Sequence, residues 1–134
     1  MQKMETRTVV ENYFNAIKEG RFEEIPKYQS SDYKRWISGE GSWLFGGWQN
    51  EESMSKIFTI LKERFPGGMK ITINSIMVEG ERAMVHLNNY AVRTDGRVYD
   101  NQIVFLIWVV NGLITEQHEF LDTIMVNELF CGPI

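Results

Sequence analysis

The sequence is poor in cysteine, has no excess of basic charge and contains no long apolar run. Cys131 is the single cysteine among 134 residues, so no internal disulfide can form, and a cytoplasmic location is the simplest expectation. Lys and Arg total 14 against 18 Asp and Glu, without a basic cluster, which argues against a nucleic-acid partner and against an anionic membrane surface. The first twenty residues lack the apolar core of a signal peptide, and no apolar run approaches a membrane span.

Aromatic residues, by contrast, are abundant. The chain has four Trp, five Tyr and eight Phe, which either fill one large-ringed core or line a small-molecule pocket. The length fits a single domain over residues 1–134, and a domain of this size buries roughly two-thirds of the surface that its unfolded chain exposes.

Three segments in the first half of the chain have helical patterns. Apolar residues recur at helical spacing in residues 5–19. Residues 21–28 predict a short second helix that is redirected at Pro26. A third helix is predicted from Asn50 to the break at Pro66, with acidic residues in its first turn and basic residues in its last.

The second half of the chain has strand patterns. Residues 69–79 and 82–93 predict two strands, and two more are joined at Asn111-Gly112 as an antiparallel hairpin. Helices followed by an antiparallel meander are typical of the α+β class. Before the third helix, residues 33–48 combine large rings with four glycines, which favours short strands and loops. Their Trp residues either plug the core or form an aromatic wall at a pocket mouth.

The Asn111-Gly112 turn decides which face of the sheet Glu119 occupies. A two-residue loop would pair Val110 with Leu113 and place Glu119 beside Val104. A three-residue loop with Gly112 as a left-handed bulge would pair Val109 with Leu113 instead. Glu119 would then lie opposite Ile103, on the face of Asn101, Phe105 and Leu121, because a slip of one residue reverses every side chain.

Several segments together resemble one family of folds. They are Val9-Val10-Glu11-Asn12-Tyr13-Phe14, Gly46-Gly47-Trp48, Tyr99-Asp100-Asn101, Asn111-Gly112 and His118-Glu119-Phe120-Leu121-Asp122. In these segments the chain resembles the nuclear-transport-factor-2-like (NTF2-like) superfamily, in its SnoaL-like and ketosteroid-isomerase-like branch. The resemblance implies a cone-shaped, cystatin-like α+β fold, with three N-terminal helices packed on a curved antiparallel sheet. It also implies the three-residue bulged loop, with Glu119 pointing into the cone.

The resemblance carries over to individual residues only in part. Glu119 falls where SnoaL-type polyketide cyclases, limonene-epoxide hydrolase and the phenazine-biosynthesis proteins place an acid, and Tyr13 falls where ketosteroid isomerase has its oxyanion-hole tyrosine. The two aspartates of that isomerase would lie near Ile37 and within residues 103–105, which are apolar here. The arginine and aspartate of the epoxide hydrolase would fall at His86 and Asn88. Neither steroid isomerisation nor epoxide hydrolysis is therefore expected.

A second predicted hairpin, with its loop at residues 94–97, determines which of the remaining side chains face the cone. Alternation places His86, Asn88 and Tyr90 on one face, and a four-residue loop over residues 94–97 would set Asn88 opposite Ile103. Glu119 and His86 are then the expected acid/base pair in the cone; a purely structural pair is the alternative. The expected ligand-binding residues are Tyr13, Trp36, Trp43, Trp48, Asn88, Tyr90, Asn101, Ile103, Phe105 and Leu121. One inward His with one Glu is too few ligands for zinc and no phosphate loop is present, so neither a metal nor a cofactor is expected.

Two functions remain open from the sequence. The first is a cofactor-independent isomerase, cyclase or hydratase acting on a small hydrophobic molecule. The second is a non-catalytic ligand-binding or dimerisation module that uses the same cone. If Glu119 points inward, Val104, Leu106, Trp108 and Phe120 point outward as an apolar patch, which predicts a homodimer through this face.

Overall fold

The structure is a computed structural model that describes residues 5–134. Residues 1–4, part of the stretch inspected for a signal peptide, lie outside the described residues. Two helices, α1 (Thr6–Lys18) and α2 (Glu51–Arg64), flank a 3₁₀ segment (Phe22–Tyr28) and two strands, β1 (Gln29–Ile37) and β2 (Gly47–Trp48). A meander of β3 (Lys70–Glu79), β4 (Arg82–Val92), β5 (Val98–Val110) and β6 (Leu113–Phe120) follows. The chain ends in a helical turn, α3 (Thr123–Val126), and a π-helical turn (Asn127–Cys131).

The predicted helices are present, but the second is not an α-helix. Residues around Pro26 form a 3₁₀ segment, since proline has no backbone N–H to donate and clashes with the preceding turn of an α-helix. α1 buries one face through Val9, Val10, Tyr13, Phe14 and Ala16. α2 begins with a capping box in which Asn50 and Ser53 accept each other's backbone N–H. Among the described residues, no helix has the length and hydropathy of a membrane span.

The six strands form one mixed sheet in the order β2-β1-β6-β5-β4-β3. β1 and β6 run parallel and every other pair runs antiparallel, so the expectation of an antiparallel sheet is wrong at this one junction. A parallel pair requires a long crossover connection, and here α2 and the meander supply it. The face of the sheet that packs against α1 is called the inner face below, and the opposite one the outer face.

The β5–β6 hairpin differs from the expected one. Asn111 and Gly112 both have positive φ (53° and 78°), and Val110 pairs with Leu113, so the loop has two residues rather than three. A bulge at Thr115 then shifts the register: Val109 pairs with Ile114, but Trp108 pairs with Glu116. Glu119 consequently lies opposite Phe105, not Ile103. Its inward orientation is confirmed, but the bulge and not the turn produces it.

The β4–β5 hairpin also differs from its prediction, and with larger consequences. Val92, not Arg93, pairs with Val98, so the loop spans residues 93–97. Arg93 closes it by donating its backbone N–H to the Arg97 carbonyl at 2.8 Å and its side chain to Asp95. His86 therefore pairs with Val104 and Asn88 with Gln102, one residue away from the expected register. This slip turns the polar residues of β4 to the outer face.

Two apolar clusters fill the interior. One lies between α1 and the inner face of β4, β5 and β6 and contains Tyr13, Phe14 and Phe105. The other lies beneath α2 and the C-terminal turns and contains Trp43, Phe65, Tyr99 and Phe130. Charged and polar side chains meet the first cluster where β1 runs beside β6.

Candidate active site on the inner face of β1 and β6

The site is built around a buried ion pair between Arg35 and Glu119. Parallel pairing sets Arg35 beside Gln117 and Ile37 beside Glu119, so all four side chains share the inner face. Arg35 donates from Nη2 to Glu119 Oε1 in a short contact. Glu119 is only 6% exposed. The guanidinium also lies 5.8 Å from the centroid of the Phe105 ring.

The electrostatics of the site keep Arg35 charged. Burial is the largest single influence and lowers the pKa of the guanidinium, but the Glu119 carboxylate, Tyr33 and Tyr13 together outweigh it and leave the pKa of Arg35 above its ordinary value. Burial raises the pKa of Tyr33 well above its ordinary value, and the nearby Tyr13 adds to this effect. The site therefore contains one ion pair beside the neutral phenol of Tyr33.

Polar atoms around the pair have no protein partner. The Tyr33 hydroxyl makes no hydrogen bond of normal geometry, although it interacts electrostatically with Tyr13. Arg35 Nε is unpaired, and so are both amide atoms of Gln117, which has no exposed surface. A buried polar group without a partner destabilises a fold by about 1–3 kcal/mol. Bound water or the polar groups of a ligand would pair these atoms.

Several of the inward residues predicted from the sequence are buried in the interior. Tyr13, Ile103 and Phe105 are buried in the cluster beneath α1, and Tyr13 accepts a 3.3 Å hydrogen bond from Gln29. Leu121 is partly buried at the junction of both clusters.

Asn101 is buried but already satisfied. Its amide donates to the Tyr99 hydroxyl at 3.1 Å and to the Asp122 carbonyl at 3.2 Å, and its oxygen accepts from the Asp122 N–H at 2.9 Å. These bonds fasten the segment after β6 to β5, so Asn101 is an anchor and not a ligand-binding residue.

The predicted pair of Glu119 with His86 is wrong. His86 lies on the outer face, where Nε2 is 2.7 Å from Gln102 Oε1. Asn88 donates to Asp100 at 2.7 Å on the same face, and Tyr90 is 40% exposed. These three residues are therefore outside the cone, because the longer β4–β5 loop shifts the register by one residue and turns their side chains to the outer face.

The predicted aromatic wall is also corrected. Trp36 alternates with Arg35 and Ile37 on β1, so it faces outward and packs against His118 with ring centroids 5.6 Å apart. Trp48, paired with Trp36, is 58% exposed beside the same histidine. Trp43 is buried in the cluster beneath α2, and its indole N–H donates to the Ser38 carbonyl at 2.9 Å.

Sequence reasoning missed Arg35, Tyr33 and Gln117. The signal that was available is the alternation of Tyr33, Arg35 and Ile37, which marks a strand before the glycines begin at Gly39. What it did not give is the partner strand, since β1 and β6 are more than 70 residues apart in the chain.

Two surface clefts lie away from this site. One, of about 400 Å³, follows the solvent-exposed side of α2 between Glu51 and Lys62. The other, of about 280 Å³, is lined by residues of β3, β4 and β5 that include Met77, Arg82 and Leu106. Neither cleft is lined by Arg35, Gln117 or Glu119.

Comparison with known proteins identifies the family to which this chain belongs. The model of the SnoaL-like domain matches residues 10–117. The chain belongs to the SnoaL-like domain family. This membership confirms the resemblance seen in the sequence. No curated protein matches the sequence.

Solved structures confirm the fold of this SnoaL-like domain. A protein of unknown function with a cystatin-like fold from Xanthomonas campestris is 20% identical, with a TM-score of 0.79, over 97% of this chain and 100% of its own. IdmH from Streptomyces antibioticus, a proposed polyketide cyclase, is 16% identical, with a TM-score of 0.73, over 91% and 95%. TerC, co-crystallised with polyporic acid, is 16% identical, with a TM-score of 0.77, over 93% and 97%. At these identities the likeness is one of fold alone.

Proposed function

We propose that this SnoaL-like domain binds a small hydrophobic molecule inside its cone and carries out cofactor-independent proton transfer on it, as an isomerase, cyclase or hydratase. The observation that supports this proposal is the buried Arg35–Glu119 pair with unpaired polar atoms around it. Buried charge and unpaired polar groups in an apolar interior are concentrated at functional sites.

The residues divide into complementary roles. Glu119 is the base that accepts a proton from the bound molecule. As its charge is neutralised, Arg35 is left with an uncompensated positive charge that stabilises an oxyanion formed on the ligand. The Tyr33 hydroxyl is a further donor for that oxygen. Ile103 and Phe105 supply an apolar wall for the hydrophobic body of the ligand.

Two structural neighbours add modest support. One is a proposed polyketide cyclase and another was crystallised with a small organic molecule. They support the use of this scaffold for such ligands, while the residues that act here are those of this chain.

A second candidate function is ligand binding without turnover. The observation that favours it is the ion pair itself, because Arg35 already occupies a Glu119 oxygen and ties β1 to β6. A pair with that structural task would stay intact when a ligand binds, and Glu119 would then accept no proton.

A library screen with matched variants separates these candidates. Hydrophobic carbonyl compounds are tested for a rise in melting temperature and then, by mass spectrometry, for conversion. We expect Glu119→Gln to abolish conversion while Glu116→Gln, on the outer face of the same strand, retains it. The double variant Arg35→Gln/Glu119→Gln replaces the pair with two neutral amides and keeps the test valid if the single variant unfolds.

Each outcome decides between the candidates. Conversion by wild type that survives in the Glu119→Gln variant would contradict the acid/base role. Ligands that bind wild type but are never converted favour the second candidate. A library without any ligand for the cone contradicts both.

A further inference from the structure

We infer that the ligand carries an uncharged protic carbonyl, such as a carboxamide, a lactam or an enolised dicarbonyl, and that Gln117 is the residue that selects it. This inference rests on the proposed function, since it assigns the polar half of the same site. It adds a ligand class and a specificity residue to a site so far described only by its ion pair.

Gln117 is unusual among the buried residues. It has no exposed surface, yet neither its amide nitrogen nor its oxygen makes a hydrogen bond with the protein. Its strand neighbours are Arg35 on β1 and Ile107 on β5. Ile107 offers no polar side chain, and the Arg35 guanidinium is directed to Glu119. A leucine at this position would fill a similar volume without an unpaired amide, so folding alone does not explain the glutamine.

The unpaired atoms of the site specify which chemical group of a ligand would match them. The Gln117 amide presents a donor and an acceptor side by side, which a carboxamide, a lactam or an enol next to a carbonyl can match with two hydrogen bonds. Arg35 Nε adds a further donor. The ligand group must therefore accept several hydrogen bonds and donate at least one. A ketone would leave the Gln117 oxygen unpaired, and an ether would do the same.

Charge balance excludes a carboxylate. Arg35 is already neutralised by Glu119, and Glu119 is buried. A ligand carboxylate would bring a second negative charge next to the first in a medium of low dielectric, which is strongly unfavourable. An uncharged group meets the same hydrogen-bond pattern without that repulsion.

Three naphthalene probes of similar size test the inference: 2-naphthamide, which donates and accepts; 2-acetonaphthone, which only accepts; and 2-ethylnaphthalene, which does neither. Titration calorimetry of wild-type protein should give the amide the lowest Kd, by on the order of 10-fold or more over the ketone, since one unpaired buried acceptor separates them. In NMR spectra of wild-type protein, the amide should shift the Gln117 side-chain NH₂ resonances.

Gln117→Leu is the matching variant, with Gln102→Leu as its control on the outer face. Gln117→Leu should fold with an unchanged or higher melting temperature and should weaken binding of 2-naphthamide by about 10-fold, while 2-ethylnaphthalene binds as before. Gln102→Leu should change neither affinity. The NMR measurement uses only wild-type protein, so it holds even if the leucine variant misfolds.

The results separate this inference from the proposed function. Equal Kd values for the three probes, or no change in the Gln117 resonances, would overturn the inference and leave the cone as a less selective site. Failure of all three probes to bind also overturns it. The proposed function is decided separately, by binding and conversion of compounds in the wider library.

Discussion

At the scale of single residues, the buried Arg35–Glu119 pair adds little to the stability of the fold but places two charged groups where they can act on a ligand. Both side chains are largely withdrawn from water, with side-chain exposures of 22% and 8%. Taking two charges out of water is costly, so a buried pair stabilises a fold little compared with an apolar pair of the same volume. Removing only one member is far more damaging, since the other charge stays buried without compensation. The pair therefore behaves as one unit.

A double-mutant cycle tests that unit. Glu119→Gln and Arg35→Gln should each lower the free energy of unfolding by about 3–5 kcal/mol, whereas the double variant should lose less than the sum of both. Urea unfolding gives the three values. The matched control is Lys56→Gln, which breaks the exposed Lys56–Glu52 pair and should change stability by no more than about 0.5 kcal/mol. Additive losses at Arg35 and Glu119 would show that the two residues are not coupled.

A second prediction at this scale concerns acid. Arg93 is almost fully buried and donates from Nε and Nη2 to the two Asp95 oxygens at 2.9 and 2.6 Å. The hydrogen bonds from Arg93 lower the pKa of Asp95 to about 2. In the unfolded chain the pKa is about 3.9, so the contribution of Asp95 to stability is complete above that pH and is lost as the pH falls towards 2.

Thermal melts between pH 5 and pH 2 check this assignment. The melting temperature of wild type should fall more steeply than that of Asp95→Asn, since the variant has no carboxylate at this position to protonate. Parallel curves for the two proteins would show that folding does not lower the pKa of Asp95. Glu63→Gln is the control, because Glu63 is an exposed acid on α2 whose side chain makes no hydrogen bond or ion pair within the described residues.

At the scale of elements, the sequence predicted which segments form helices and strands better than how the strands pair. The helical pattern of residues 5–19 and the cap at Asn50 place α1 and α2 correctly because both signals are local. Strand register is not local. One bulge at Thr115 and one extra loop residue before Val98 decide which side chains enter the cone. Hydrophobic alternation cannot detect either, because β5 is apolar on both faces between Ile103 and Val110.

The candidate site shows the same contrast between what local sequence patterns predict and what depends on strand pairing. Glu119 was found because the family resemblance marks that position, whereas His86 was assigned from a loop length that was one residue short. Arg35 and Gln117 come together only through the parallel pairing of β1 with β6, which no local pattern encodes. A site assembled from distant strands becomes visible only when their register is known.

The turn of the β5–β6 hairpin supplies an element-scale prediction. Gly112 has φ near 78°, in the left-handed region. In that conformation the Cβ of an L-residue lies too close to the following carbonyl oxygen, so Gly112→Ala should lower the free energy of unfolding by about 1–2 kcal/mol. Gly67→Ala is the control, because Gly67 lacks positive φ and an added Cβ there would meet no atom within 4 Å. Urea unfolding of both variants gives the comparison. Equal stability of the two variants would refute a strained turn at Gly112.

At the scale of the whole molecule, the sheet has two different faces. The inner face is covered by α1, whereas the outer face has Val104, Leu106, Trp108 and Phe120 pointing away from the helices, as the sequence predicted. Trp36 and Trp48 extend this patch, which was not expected of them. At its centre, the His118 ring lies 5.6, 5.7 and 4.7 Å from the Trp36, Trp48 and Trp108 rings, and its Nε2 is 2.7 Å from Glu116.

This outer face is our proposed homodimer interface, formed by Val104, Leu106, Trp108 and Phe120 with their aromatic neighbours. Phe120 is 40% exposed, Trp48 is 58% exposed, and contiguous aromatic patches of this kind mark protein–protein contacts. An isologous contact would bring each patch onto its own copy, and a stable dimer needs roughly 1,200–2,000 Å² of buried surface in total. The polar half of the same face, around His86 and Gln102, would then form the rim of the interface.

Light scattering coupled to size-exclusion chromatography tests the dimer. Wild type should elute as a dimer at micromolar concentration. Phe120→Glu should shift it to the monomer, because two carboxylates would be buried without partners across the two-fold axis. Phe58→Glu is the matched control, since Phe58 is a similarly exposed ring on α2, on the opposite side of the sheet, and its variant should remain dimeric. Tryptophan fluorescence gives an independent measure, because Trp36, Trp48 and Trp108 would move from a buried interface into water as the dimer dissociates on dilution. A wild-type monomer at micromolar concentration, or equal effects of the two variants, would show that this aromatic face has another role.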